Sequence, residues 1–168
     1  MTVVIPCAGL GTRFKEEGHT EHPKPFLSVC GKTLFEWAVL SLCLDAEYYF
    51  IVSEDLDQKY VNFMGHVTDQ AGIDAYVLRT PPTEGALVTC LLPFKHSLNR
   101  YDELVISNCD HFTPWDVDKF LKFKDEHIEL DAIVTTYEHE PITVGERYPY
   151  SFIKLDDNGY GTELSEKI

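Results

Sequence analysis

Segments of β-type and α-type residues alternate along the whole chain, and this alternation narrows the fold more than any other feature. Thr2–Pro6 is a short β-branched run that reads as a fully buried first strand. Thr33, with Glu36 three positions on, forms a capping-box pattern that opens a helix to about Leu44. Residues 48–53 read as the second strand. A helix from about Asp55 follows, with Tyr60, Phe63, Met64, Val67 and Ala71 on one stripe and Gly72 past its end. A third strand over 74–78 leads to a helix from Thr83 that should end near Pro93 to Lys95, and a fourth strand covers 103–107. Thr113-Pro114 reads as a further helix start with proline at the first helical position. Residues 131–137 and 150–155 read as two more strands, 156–159 as a turn, and the last residues as extended chain. Repeated β-α-β units of this kind predict a Rossmann-like three-layer α/β/α fold around a mostly parallel sheet, mixed at its C-terminal side.

In such sheets ligands bind outside the carboxyl ends of the strands. The chemically suggestive residues fall there: Gly9 to Arg13 after the first strand, Pro81 to Gly85 after the third, and Asn108 to His111 after the fourth. Gly9 and Gly11 permit a tight turn whose successive N–H groups can cradle an anion, although many strand-to-helix turns need glycine for steric reasons alone. Arg13 adds a planar fork matched to phosphate oxygens, and Lys24 a compact point charge. Pro23 and Pro25 restrict the backbone on both sides of Lys24, a bracing that an ordinary surface lysine does not require. Asp110 has two readings, a magnesium ligand or a turn residue bonding local backbone. His111 reads as a loop histidine, because Mg²⁺ prefers oxygen.

At 168 residues the chain is long enough for one domain, 1–168, with a proper core. It carries 14 basic and 28 acidic side chains, a formal charge of −14, which argues against nucleic acid as a partner and means a bound triphosphate needs local cations. The longest nearly apolar run, 34–44, is interrupted by Glu36 and too short to span a bilayer, so no membrane association is expected. The N-terminus lacks a signal-peptide pattern, and a cytoplasmic location is expected. The five cysteines, Cys7, Cys30, Cys43, Cys90 and Cys109, are scattered without a C-x-x-C pair and read as buried reduced thiols.

Gly9-Leu10-Gly11-Thr12-Arg13, nine residues, then Pro23-Lys24-Pro25 resembles the signature of the sugar-phosphate nucleotidyltransferases (pyrophosphorylases) and their alditol-phosphate relatives. Further pieces agree in order. Residues 26–34 resemble the family's P-L-x-x-V-x-G-K-P-[ML] continuation, and Glu84-Gly85-Ala86 its base-contacting loop. Asn108-Cys109-Asp110 resembles the N-x-D that ends the fourth strand and holds the metal, and Ser165-Glu166-Lys167 resembles the later V-x-E-K segment.

The resemblance implies transfer of NMP from an NTP to a sugar phosphate or other small phosphorylated metabolite, with Mg²⁺ as cofactor and pyrophosphate released. Arg13 and Lys24 would be catalytic. Ala8, Gly9, Gly11, Thr12, Arg13, Glu84 and Gly85 would bind nucleotide, Asp110 the metal, and Lys167 the acceptor phosphate. Glu84 stands where relatives often carry a neutral hydrogen-bonding residue. A carboxylate there can accept from an exocyclic amine such as cytosine's, which favours CTP. An activated sugar for surface-polysaccharide assembly is the expected product. The chain stops at Ile168, before the strands that complete the acceptor pocket and supply a second metal-binding aspartate in relatives. Two other readings follow: a catalytically incomplete nucleotide-binding or regulatory module, and a GT-A-like glycosyltransferase. An exposed sheet edge would also suit a homo-oligomer.

Overall fold

The structure is a computed structural model that describes residues 1–9, 11, 16, 18, 21–96, 103–138 and 151–166. Internal contacts divide it into two compact units, Met1–Glu126 and His127–Ile168. The first unit is built on β1 (Thr2–Pro6), β4 (Glu47–Ser53), β5 (Ala75–Thr80) and β6 (Leu104–Ile106). These form one sheet in the order β5-β4-β1-β6, and every neighbouring pair is parallel. The chain therefore winds outward from β1 to β5 and returns to the other side of β1. The point where the winding reverses is the gap between β1 and β6, and in open α/β sheets this is where a ligand crevice forms.

Alternating residues sort the sheet's two faces. Val3, Ile5, Tyr48, Phe50 and Val52 point into one core, with Phe35, Val39, Leu42, Met64 and Val67 from helices α1 (Leu34–Leu42) and α2 (Gln58–Ala71). Val4, Tyr49 and Ile51 point the other way, onto Cys90 and Leu92 from the short helices α3 (Ala86–Cys90) and α4 (Leu92–His96). Helix α5 (Val117–Glu126) packs Val117, Phe120 and Leu121 on the first core. The result is the three-layer α/β/α arrangement around a parallel sheet. Val3, Val4, Ile5, Phe50, Ile51 and Val52 are all completely buried, and each contributes about 1.5–3 kcal/mol relative to an exposed side chain.

Local signals account for the helix ends. Thr33 caps α1 through a complete capping box, its hydroxyl accepting from the Glu36 N–H while the Glu36 carboxylate accepts from the Thr33 N–H at 2.7 Å. Asp57 caps α2, and Gly72 closes it in the left-handed conformation at φ 68°.

Three expectations are corrected. The helix foreseen from Thr83 begins at Ala86 and is split into α3 and α4, because Pro93 has no N–H to donate four residues back to Thr89. The helix foreseen from Thr113 begins at Val117, with the Asp116 carboxylate accepting from the Lys119 N–H at 3.0 Å. Residues 113–115 are instead tied to the end of α1. The Thr113 N–H donates to Ser41 Oγ at 3.0 Å, and Trp115 Nε1 donates to the carbonyls of Ser41 and Leu42. Residues 131–138 are irregular rather than a strand, with Val134 and Tyr137 exposed.

The second unit contains an antiparallel hairpin, β7 (Ser151–Leu155) with β8 (Gly161–Glu166). Its turn is organised by Asp156, whose carboxylate accepts from the N–H groups of Asn158 and Tyr160, with Gly159 at φ 86°. Those bonds hold the Asp156 carboxyl below its ordinary pKa.

Candidate active site

Three segments of the first unit carry the site. The first leaves β1 through Cys7, Ala8 and Gly9. Gly11 adopts φ 61°, a conformation that favours glycine, and a Cβ placed on it would lie 3.5 Å from Lys24 Cβ. The turn after β1 is thus in contact distance of the lysine.

The second segment presents Lys24. A single 3-10 turn, Lys24–Phe26, follows Pro23 in extended conformation, and the Phe26 N–H donates to the Pro23 carbonyl at 2.9 Å. Phe26 anchors this turn: its buried ring stacks on Tyr60 at 4.4 Å between centroids and meets Phe35 and Phe63 at 6.1 Å. Tyr60 also hydrogen-bonds His22 Nδ1 at 2.9 Å, so the residue two positions before Lys24 is held on α2 as well. The short ladder of β2 (Ser28–Val29) with β3 (Lys32–Thr33) leads directly into α1. Trp37 Nε1 of α1 reaches back to the Val29 carbonyl at 2.8 Å.

The third segment leaves β6 through Asn108, Cys109 and Asp110. The Asp110 carboxylate forms an ion pair with the Lys24 ammonium, both side chains being mostly shielded. Helix α1 braces both arms: Trp37 holds the hairpin after Lys24 and packs edge-on against Phe112, while Ser41 and Leu42 hold Thr113 and Trp115. Asn108 Nδ2 lies 3.2 Å from His111 Nδ1 within the same loop.

Cys7 and Cys109 pack on the same core behind this pair, and the Cys7 thiol donates to the Ile5 carbonyl at 3.6 Å. The neighbouring Cys109 thiol, with burial and the Asp110 charge, pushes the Cys7 thiol well up, and Cys7 in turn draws Cys109 down. The expectation of buried thiols holds for Cys90 alone. Cys30 and Cys43 are exposed, Cys7 and Cys109 are half-buried, and all five are free.

Glu84 and Gly85 lie between β5 and α3, both exposed. Two threonines fix this turn: Thr83 Oγ1 and Thr89 Oγ1 are 2.6 Å apart, and both reach the Gly85 carbonyl, at 3.2 and 3.1 Å. Sequence reasoning passed over this clasp, as it did the thiol pair. A Thr six residues before another across a glycine is a weak signal, whereas Cys7 and Cys109 become neighbours only once β1 and β6 are paired. Thr12, Arg13 and Lys167 lie outside the described residues.

Mg²⁺ commonly takes one or two carboxylates and completes its shell with water and substrate phosphates, so a single carboxylate past a strand end beside a glycine turn suits it. Among the described residues no cluster of three or more His, Cys, Asp or Glu could hold a metal alone. A concavity of about 800 Å³ lies at the opposite ends of the strands, lined by Met1, Leu44, Glu47, Tyr48 and Asp74 among others, away from Lys24 and Asp110. No described helix is long and apolar enough to cross a membrane.

No protein-family model matches the chain. No curated protein sequence matches it either. Its backbone is similar to a nucleoside-diphosphate-sugar pyrophosphorylase from Vibrio cholerae, with a TM-score of 0.71 and 23% identity over 99% of this chain and 67% of that one. It is also similar to HddC from Yersinia pseudotuberculosis (TM-score 0.66, 17% identity, 99% of this chain and 69% of that one). UDP-glucose pyrophosphorylase complexed with UDP-glucose gives a TM-score of 0.62 at 14% identity, again over 99% and 69% of the two chains. The chain therefore has the fold of the sugar-phosphate nucleotidyltransferases.

Proposed function

We propose that this protein is a nucleotidyltransferase, which moves a nucleoside monophosphate from an NTP onto a sugar phosphate or similar phosphorylated metabolite and releases pyrophosphate. The observation that carries this reading is the meeting of Lys24 and Asp110 at the reversal point of a parallel sheet, with Gly11 against the lysine. A cation and a carboxylate side by side suit a metal-bound phosphate: one group takes the oxygens, the other the metal.

In this reading the acceptor's phosphate oxygen attacks the α-phosphorus, a new P–O bond forms, and the bond to the β-phosphate oxygen breaks. Such a reaction needs aligned reactants and charge neutralisation more than a covalent nucleophile. Lys24 contacts the α-phosphate and the incoming phosphate, its position set by Phe26 and the flanking prolines. Backbone N–H groups from Ala8 to Gly11, with Thr12, cradle the phosphates, and Arg13 neutralises the β- and γ-phosphates. Asp110 would hold Mg²⁺, which would supply neutralisation of phosphate charge there. The turn of Glu84 and Gly85 faces the base, and the Glu84 carboxylate favours the exocyclic amine of CTP. Lys167 receives the acceptor phosphate. The product would be an activated sugar or alditol of the kind consumed in surface-polysaccharide assembly, made in the cytoplasm.

The test is to incubate the chain with Mg²⁺, each NTP in turn and a panel of sugar and alditol phosphates, and to follow pyrophosphate and the nucleotide product by mass spectrometry. Matched release of pyrophosphate and a nucleoside-diphosphate product supports transfer. Nucleotide binding without any product across the panel favours a binding module instead. Binding of a nucleoside-diphosphate sugar but of no NTP favours a glycosyltransferase.

A further inference from the structure

Strands β1 and β6 are parallel neighbours in the register Thr2↔Leu104, Val3↔Val105 and Val4↔Ile106. The ladder closes where the Ser107 N–H donates to the Val4 carbonyl at 3.1 Å. The same register carried three residues beyond its last pair would set Cys7 opposite Cys109. Both side chains belong to the same face, since Val3, Ile5 and Cys7 from one strand join Val105 and Cys109 from the other in one core. Adjacent strands run about 4.8 Å apart, inside the roughly 4.4–6.8 Å between Cα atoms that a disulfide spans. Both residues are half-buried rather than sealed, and both thiols are free.

We propose that Cys7 and Cys109 form an oxidisable pair, joined into an intramolecular disulfide by hydrogen peroxide across the carboxyl ends of β1 and β6. In the first step one sulfur attacks peroxide. An S–O bond forms, the O–O bond breaks, and the departing hydroxide takes the thiol's proton to leave as water. The second sulfur then attacks the sulfenic sulfur: the S–S bond forms, the S–O bond breaks, and a second water leaves. Two thiols lose two electrons in all, and one peroxide becomes two waters. A thiol reductant reverses the bond by exchange.

The bond lies one residue before Ala8 and one before Asp110, so it ties the turn after β1 to the carboxylate. A disulfide imposes a dihedral near 90° that two free thiols need not satisfy, and the turn and Asp110 must shift to meet it. The oxidised protein therefore binds Mg²⁺-nucleotide more weakly than the reduced one, by roughly tenfold, the scale on which groups that orient a metal ligand act. This second part rests on the nucleotidyltransferase reading, whereas the bond itself does not.

The test treats the intact chain with increasing hydrogen peroxide, blocks remaining thiols with iodoacetamide under denaturing conditions, and maps the digest without reduction. The expected product is a Cys7–Cys109 linked peptide that dithiothreitol removes, formed at peroxide levels that leave Cys30, Cys43 and Cys90 alkylatable. The exposed Cys30 and Cys43 are the internal control: their oxidation while Cys7 and Cys109 stay free would overturn the pair. A linked peptide with unchanged nucleotide affinity in the same sample would overturn the control of the site and leave the bond standing. Absence of nucleotide binding in the reduced protein would strike the functional reading alone. Cys109→Ser should abolish the linked peptide, and the wild-type map decides the matter even if that variant folds poorly.

Discussion

The ammonium of Lys24 and the carboxylate of Asp110 are ion-paired, although one precedes α1 and the other follows β6. The contact sits at the sheet's reversal point, and helix α1 grips the chain on both sides of it. If Asp110 holds the metal as proposed, its ion-paired lysine occupies the place a divalent cation would take. On that proposal Lys24 and the metal would compete for Asp110 until a phosphate drew the lysine away. Lys24→Met should therefore strengthen Mn²⁺ binding in the absence of nucleotide, read by electron paramagnetic resonance, while lowering transfer by about 10²-fold or more. Weaker Mn²⁺ binding in the variant would show that the lysine supports the carboxylate rather than blocking it.

The positioning of Lys24 depends on Phe26. Phe26→Ala empties a site among Tyr60, Phe35 and Phe63 and should destabilise the fold by about 3–5 kcal/mol in urea unfolding. Tyr60→Phe keeps the stack and removes only the bond to His22, costing about 1 kcal/mol or less. Equal losses from the two substitutions would mean that the hydrogen bond, not the ring packing, anchors the lysine.

The threonine clasp at Gly85 predicts a separation of kinetic effects. Thr89→Val keeps the side-chain volume and removes the hydroxyl that joins Thr83 and the Gly85 carbonyl. Stability should fall by about 1 kcal/mol in thermal melting, because the Gly85 carbonyl keeps its bond from the Thr89 N–H at 3.1 Å. If the turn faces the base, KM for NTP rises several-fold with kcat little changed. A fall in kcat at constant KM would place the turn nearer the reacting phosphates.

Much of the fold was legible because local and tertiary preferences agreed. The β-branched run of β1, the capping box at Thr33 and the stripe closed by Gly72 each name the element the structure forms. Elements were misread where long-range contacts outweighed local pattern. Residues 113–115 carry a good helix start, yet Ser41 and Leu42 take their donors and hold them on α1. The β-like pattern of 131–137 has no ladder among the described residues, and a strand needs a neighbour's backbone as well as its own pattern. Lys24, Asp110 and Gly11 were each named from the sequence, but their convergence was not, since it depends on the order in which the strands return. The thiol pair was invisible for the same reason.

The central claim is that Lys24 and Asp110 act on one bound nucleotide, and a double-mutant comparison of pyrophosphate release measures it most directly. Wild type, Lys24→Ala, Asp110→Ala and the double variant are assayed with Mg²⁺, NTP and the acceptor that supports wild-type turnover, after circular dichroism verifies each fold. The account predicts that each single substitution removes nearly all release and that the double variant is no worse than either, since groups that act as a unit are not additive. Release near the wild-type rate from a folded Lys24→Ala or Asp110→Ala protein would contradict it.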